Sequence, residues 1–215
     1  MTLTPAGDGK YTFTQPGVKV TIDVTFVPEE WPFVDVAESD WFFQAVKYVF
    51  ERGIMVGTSD TTFEPQSSVT RGQVVQMLYN LEGQPTVTGE DGFTDVQSKD
   101  WWYNAVVWAS QNEVVSGYGD GTFQPKRNIS RQEFAQMLFN YAKFKGYDLT
   151  ATGDLTKFPD GGDVAGWAET AMQWANGNEL INGHADTGKL DPLGTTVRAQ
   201  AASILTKFHQ TFVNP

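Results

Sequence analysis

Two hydrophobic rhythms divide the chain. In Lys10-Tyr-Thr-Phe-Thr14 and Val18-Lys-Val-Thr-Ile-Asp-Val-Thr-Phe26, apolar residues alternate with polar ones and β-branched types abound, the pattern of strands with one buried face. Gln15-Pro16-Gly17 between them is a turn signal, so residues 1–30 read as a β-hairpin segment. An isolated hairpin is marginal in water. This one is therefore expected to pack on the helical part of the chain, or to be the end of a preceding β domain. After Pro28 and Pro32 the period lengthens to that of a helix. Trp41, Ala45, Tyr48 and Val49 fall at i, i+4, i+7 and i+8, one helical face, with Asp40 placed to cap it and Gly53 to end it. Trp101, Ala105, Trp108, Ala109 and Trp167, Ala171, Trp174, Ala175 repeat that face.

A second helix comes after each of these. Thr70-x-x-Gln73 and Ser130-x-x-Glu133 are capping boxes. Counting from Arg71, Arg131 and Arg198, apolar residues recur at +3, +4, +7 and +10: Val74, Val75, Leu78, Leu81; Phe134, Ala135, Leu138, Tyr141; Ala201, Ala202, Leu205, Phe208. Six helices are predicted, starting near Trp41, Thr70, Trp101, Ser130, Trp167 and Arg198. None can bury its own face alone, so the units must pack on one another.

The spacing shows that one unit has been copied. Asp35 to Trp41 and Asp95 to Trp101 are six residues, and Asp160 to Trp167 is seven; Trp41 to Gly57, Trp101 to Gly117 and Trp167 to Gly183 are each sixteen. Gly57 to Arg71 and Gly117 to Arg131 are fourteen, and Gly183 to Arg198 is fifteen. The units run over 31–84, 91–147 and 156–213, separated by a short polar linker from Gln84 to Asp91 and a longer one from Lys143 to Lys157 that prolongs a helix before breaking at Gly146.

The parts of each copy are an F-x-D entry (FVDV at Phe33, FTDV at Phe93, FPDG at Phe158), an aromatic helix, a turn (GTSDTTFEP, GYGDGTFQP, GHADTGKLDP) and a helix start (VTRGQ, ISRQE, VRAQ). Together they resemble the S-layer homology family, from Phe33 to about Phe208. The resemblance implies a mainly α fold: three helix-loop-helix repeats in a compact pseudo-threefold bundle, here with the N-terminal β-hairpin appended. It also implies non-covalent anchoring of an exported protein to the bacterial cell wall or surface layer. The ligand would be an anionic secondary wall polysaccharide, often pyruvylated, held in grooves between repeats.

Composition narrows the partners. Fifteen basic against 26 acidic residues give a net charge of −11, which disfavours nucleic acid or an anionic membrane surface. With no cysteine there is neither a disulfide framework nor a thiolate metal site. No apolar run approaches a membrane span and the first residues lack a signal-peptide pattern, so an export signal would lie outside this chain. Asp60 and Asp120 lie in Gly-rich turns but lack the alternating oxygen ligands of a calcium loop. No metal and no cofactor are expected.

The candidate ligand-binding residues recur in threes. Arg71, Arg131 and Arg198 each sit at the first position of a helix, where the dipole disfavours a cation. Two readings stand: an ion pair to Asp35, Asp95 or Asp160 of a neighbouring repeat, or an anion site built on the helix N-terminus and the guanidinium fork. Trp41, Trp101 and Trp167 are either core aromatics or flat faces for a sugar ring, with Trp102 an alternative to Trp101. Asp35, Asp95 and Asp160 either bond the backbone or hold sugar hydroxyls. The resemblance carries all of these to the groove, together with Gly57, Gly117 and Gly183. Catalysis fits poorly, because His184 and His209 do not recur, no metalloprotease or nucleophile-elbow motif is present, and pairing Asp95 with Glu133 proves little in an acidic chain. A glycan-binding anchor therefore leads over a protein-binding helical array and a divergent glycosidase. The third copy has Val197 at the cap position and extra residues, which predicts that Arg198 contributes less to binding than Arg71 or Arg131.

Overall fold

A computed structural model describes residues 4–7, 10–12, 31–90 and 92–214, and the chain divides at Trp31/Pro32 into two units. In the first, β1 (Thr4–Gly7) pairs antiparallel with β2 (Lys10–Thr12), with a bulge between Pro5 and Gly7. Strand β2 begins where the first expected strand does, but its partner lies upstream. The second expected strand, Val18–Phe26, falls outside the described residues.

The second unit holds six α-helices: α1 (Phe43–Glu51), α2 (Arg71–Leu81), α3 (Tyr103–Gln111), α4 (Arg131–Lys145), α5 (Glu169–Gly177) and α6 (Arg198–Phe208). Their second members begin where the capping boxes put them. Thr70 Oγ1 and Ser130 Oγ accept from the backbone N–H of Gln73 and Glu133, whose side chains accept from the cap N–H in return. Val197 has no oxygen to offer, yet α6 still begins at Arg198, with only the return half of the capping box present, Val197 N–H to Gln200 Oε1 (3.1 Å). Gly146 caps α4 at φ 69° and Gly53 comes just after α1 at φ 65°, left-handed conformations in which a glycine is cheapest.

The first helices start two residues later than expected. Asp40 does not cap α1; its carboxylate instead accepts from Ala37 N–H (2.8 Å), closing the turn ahead of the helix, as Asp100 does for Gln97. Phe42, Trp102 and Ala168 are consequently the residues turned inward. Trp41, Trp101 and Trp167, which the sequence left as either core aromatics or exposed flat faces, stand outside the core.

The helices pair around a closed circuit rather than within each repeat. Helix α3 packs on α2, α5 on α4, and α1 on α6. The last pairing is tied by Tyr48 Oη to His209 Nδ1 (3.0 Å) and Thr206 Oγ1 to Ala45 O (3.2 Å). At the middle, Ile129 N–H donates to Val69 O (2.9 Å), Thr196 N–H to Ile129 O (3.3 Å) and Val69 N–H to Thr196 O (2.8 Å). These three fully buried residues form a ring of backbone bonds that returns to its start. The pseudo-threefold arrangement is explicit there.

The orphan N–H groups that open α2, α4 and α6 are satisfied around the same circuit. Arg71 and Gly72 donate to Arg127 O and Pro125 O, Arg131 and Gln132 to Gly194 O and Pro192 O, and Arg198 and Ala199 to Ser67 O and Pro65 O. Each second helix is thus capped by the turn of the next repeat. Beneath lies the apolar core, including Phe63, Phe123, Leu78, Leu138, Leu205 and Phe208.

Candidate functional site

Each turn is gripped from two sides by residues the sequence singles out. Phe63 and Glu64 N–H donate to Asp35 Oδ1 and Oδ2 (2.9 and 2.7 Å), Phe123 and Gln124 to Asp95 (both 2.8 Å), and Leu190 and Asp191 to Asp160 (2.8 and 2.9 Å). The second residue of each pair, Glu64, Gln124 or Asp191, has φ between 52° and 57°, a costly left-handed conformation for a side-chain-bearing residue. Two charge-assisted bonds from one carboxylate offset that cost. The Asp160 carboxyl feels burial pushing its pKa up, but the Leu190 and Asp191 amides prevail and hold it below the usual carboxylate range.

The arginines reach the same turns from the preceding repeat. Arg71 donates Nε–H to Phe123 O (2.9 Å) and Nη2–H to Ser116 O (3.2 Å); Arg131 to Leu190 O (2.8 Å) and Asn182 O (2.5 Å); Arg198 to Phe63 O (2.6 Å) and Val56 O (2.6 Å). Of the two readings the sequence left open, the ion pairs with Asp35, Asp95 and Asp160 do not form, because those carboxylates are occupied by amides. Each guanidinium is 5 % exposed by residue and lies among carbonyl dipoles. Burial lowers all three pKa values, opposed by nearby groups such as Tyr118 and Glu133 at Arg71 and Asp191 and Asp160 at Arg131. The range of an arginine is high enough that they stay charged. Third-repeat insertions leave this geometry intact, since Arg131 and Arg198 make the same two kinds of bond as Arg71.

Gly57, Gly117 and Gly183 are set by packing. A Cβ would stand 2.6 Å from the Phe33 ring at Gly57 and 2.7 Å from the Phe158 ring at Gly183, and would meet the Phe93 ring at Gly117. Only hydrogen leaves room for the ring that opens each repeat.

Three grooves result, each assembled from all three repeats. The first, roughly 380 Å³, lies between Ile54–Thr58 and the Gln73, Gln76, Met77 and Asn80 side of α2, with Trp101 from ahead of α3 and Arg198 from α6. The second, roughly 340 Å³, joins Val114–Gly119 and α4 to Trp167 and Arg71. The third, roughly 460 Å³, joins Leu180–Ala185 and α6 to Trp41 and Arg131. Trp41, Trp101 and Trp167 are 68 %, 58 % and 58 % exposed, whereas Trp102, Trp108 and Trp174 are buried. Trp101 stands edge-on over Trp102, and Trp41 over Phe42. Trp102 is therefore the foundation of the groove wall and Trp101 its surface.

The amide lining of the grooves had no signal in the hydrophobic pattern. Gln76 Nε2 donates to Asn80 Oδ1 and Gln136 Nε2 to Asn140 Oδ1, both at 2.8 Å, while Asn80 and Asn140 bond Ile54 O and Val114 O. In the third groove Ser203 and Lys207 take their places, and His184 joins the lining. A larger cavity of roughly 530 Å³ lies between Thr152–Thr156, Gly161 and α5, but neither an arginine nor an indole lines it. Asp95 and Glu133 make no acid–base pair. Asp95 accepts two turn amides, and Glu133 is held below the usual range: burial raises it, but bonds from Ser130 and Tyr118, with the nearby Arg127, outweigh that. Among the described residues no group of three or more His, Cys, Asp or Glu could hold a metal ion, and no helix is long and apolar enough to cross a membrane.

Known relatives share most of this chain. An endoglucanase of Bacillus sp. (strain KSM-635) is 31 % identical over 175 residues, 81 % of this chain and 18 % of its own length. A surface-layer 125 kDa protein of Lysinibacillus sphaericus is 26 % identical over 169 residues, 76 % of this chain and 14 % of its own. An S-layer protein of Bacillus thuringiensis subsp. finitimus is 28 % identical over 191 residues, 84 % of this chain and 21 % of its own. The chain thus corresponds to about a fifth or less of each. Residues 32–75 and 92–135, which carry α1, α3, the first two gripped turns and the starts of α2 and α4, each match the S-layer homology domain.

Proposed function

We propose that residues 31–213 form a set of three S-layer homology repeats that anchors a bacterial surface protein non-covalently to the cell wall. The ligand is an anionic wall polysaccharide, one carrying pyruvate ketals. Reading the third helix pair as a full repeat is supported by Asp160 and Arg198, which make the same bonds as their counterparts, and by Trp167 and Gly183, which take the matching places. The observation that carries the reading is the threefold convergence of an exposed indole, a buried guanidinium and a polar helix side in one groove. An indole offers a flat face and an N–H to a sugar ring, and the guanidinium biases a ketal carboxylate toward the groove floor. In a chain of net charge −11 such local sites are the way to hold an anion. Relatives that include two surface-layer proteins and an endoglucanase fit a shared anchoring module with differing cargo.

A protein-binding helical array would vary its exposed residues between repeats, whereas these indoles recur. The test is sedimentation with purified bacterial walls, before and after acid removes the polysaccharide, and with polymer whose ketals have been selectively hydrolysed. Binding should vanish with the polymer and fall steeply with the ketals. Equal binding to stripped walls would overturn the anchor, and equal binding to ketal-free polymer would overturn the anionic ligand.

A further inference from the structure

The residue ahead of each groove glycine differs in its chemistry: Val56 precedes Gly57, Ser116 precedes Gly117, and Asn182 precedes Gly183. An Asn-Gly pair can react with itself, because a glycine nitrogen, unhindered by a Cβ, can reach the asparagine amide carbon. The chain has two such pairs, Asn176-Gly177 and Asn182-Gly183, and the fold treats them oppositely. Gly177 is the last residue of α5, so its N–H belongs to the helix ladder. It is also crowded, for a Cβ there would stand 2.7 Å from Thr152 N. Asn182 is exposed in the loop after α5, and Gly183 N–H donates to no backbone or side-chain acceptor among the described residues. Arg131 Nη2–H donates to Asn182 O (2.5 Å), the carbonyl of the same peptide group as Gly183 N. A buried cation on that oxygen draws electron density from the nitrogen and eases loss of its proton. On the other side, Asn176 Nδ2–H donates to Asn182 Oδ1 (3.1 Å), where negative charge gathers when the amide carbon is attacked.

We propose that Asn182 is a self-modifying position, where deamidation turns a neutral side chain of the third groove into a carboxylate. Gly183 N loses its proton and bonds to Asn182 Cγ; the Cγ–Nδ2 bond breaks and ammonia leaves with that proton, closing a cyclic imide. Water then adds to one of the two imide carbonyls and breaks its bond to nitrogen, which takes a proton back. Breaking the bond to Cγ leaves aspartate in an ordinary chain. Breaking the bond to the main-chain carbon leaves isoaspartate, whose backbone is longer by one carbon and whose free carboxylate contains the oxygen that Arg131 holds. Amide and water have become carboxylate and ammonium, with no change of oxidation state. Asn182 lines the third groove together with Arg131, His184 and Lys207. Accepting the anchoring function, either product puts negative charge where an anionic ligand is to sit. The third groove therefore weakens as the protein ages, whereas the other two, with Val56 and Ser116 in this place, do not.

To test the chemistry, the intact chain is held in warm, mildly alkaline buffer beside a sample unfolded in urea, and both are cleaved and mapped by mass spectrometry. In the folded chain Asn182 should convert at least about tenfold faster than Asn176, because Gly177 must first give up a helix bond. In urea the two should react alike. Asn182→Ser, which installs the residue of the second repeat, should abolish conversion in this loop. Equal rates at the two pairs in the folded chain, or an Asn182 that stays intact while the urea sample reacts, would overturn the assignment. To test the consequence, each groove's exposed indole serves as its own reporter. Protein labelled with ¹⁵N is titrated with the methyl glycoside of a hexosamine bearing a pyruvate ketal. Asn182→Asp should lose about threefold or more in affinity at Trp41, with Trp101 and Trp167 as in the wild type. Unchanged affinity at Trp41 would overturn the effect on the groove. Silence of all three indoles in the wild type would instead sink the groove reading, while the mapping still decides the chemistry at Asn182.

Discussion

Exchanging Thr196 and Val197, as the double variant T196V/V197T, should stabilise the chain. In the first two repeats the order is β-branched apolar, then hydroxyl: Val69-Thr70 and Ile129-Ser130. In the third it is inverted. The inversion puts a hydroxyl at the central ring, where Thr196 Oγ1 is fully buried and finds no hydrogen-bond partner among the described residues. It also puts a methyl group at the cap of α6. The backbone is already suitable for repair, since Val197 sits at φ −92°, ψ 161° and the capping Thr70 at φ −91°, ψ 162°. A threonine at 197 would inherit the cap, worth about 1 kcal/mol. A valine at 196 would remove a stranded hydroxyl, worth about 1 kcal/mol at the low end of such penalties. The sum, about 2 kcal/mol, corresponds to a Tm rise of about 4–8 °C for a unit of this size. Urea unfolding should show the gain as a higher midpoint at unchanged slope. Loss of stability in T196V alone would refute the reasoning, because it would mean that the hydroxyl holds something; no gain in V197T alone would refute the capping half.

Two further predictions separate support from recognition. Arg131→Ala should cost about 3 kcal/mol or more in thermal unfolding, because two buried carbonyls and the turn they belong to lose their donor; Trp41→Ala, at an exposed site, should change stability by less than about 0.5 kcal/mol yet weaken sedimentation with walls. Acid should also discriminate. The Glu133 pKa is lower folded than unfolded, so its contribution is complete above the ordinary glutamate range near about 4.3 and is lost as pH falls through the depressed value. Unfolding between about pH 5 and pH 3 should therefore show a steeper fall for the wild type than for Glu133→Gln; parallel profiles would mean that the carboxylate is not held as described.

The second helices were legible because their signals are local. A hydroxyl at the cap, an amide or acid three residues on and apolar residues at +3, +4, +7 and +10 all act within one helix. The first helices misled by two residues, because an aromatic at helical spacing satisfies the periodic rule whether it faces in or out. Phe42 and Trp102 take the buried place, and nothing in the one-dimensional pattern distinguishes Trp101 from Trp102. The partners of the arginines were invisible for a different reason. Backbone carbonyls leave no side-chain signature, so an ion pair to the recurring aspartates and an anion site were the two readings the sequence offered. Nor does spacing reveal that α1 packs on α6, some 160 residues away, and hence that each groove needs three repeats.

The closed circuit of helix pairs also sets a rule about number. In an open array each unit leans on its neighbours, the ends need special caps, and units can be gained or lost one at a time. Here every second helix is capped by the next turn, and α6 hands back to α1, so the circuit has no end to cap and no vacancy for a fourth member. Deleting one pair would strip a cap from one neighbour and a packing partner from another, and would take a wall from every remaining groove. Copies in such a lineage can therefore be added usefully only as whole rings. Within a ring the sequence of each groove is free to drift, because the geometry that makes it a groove is underwritten by the other two.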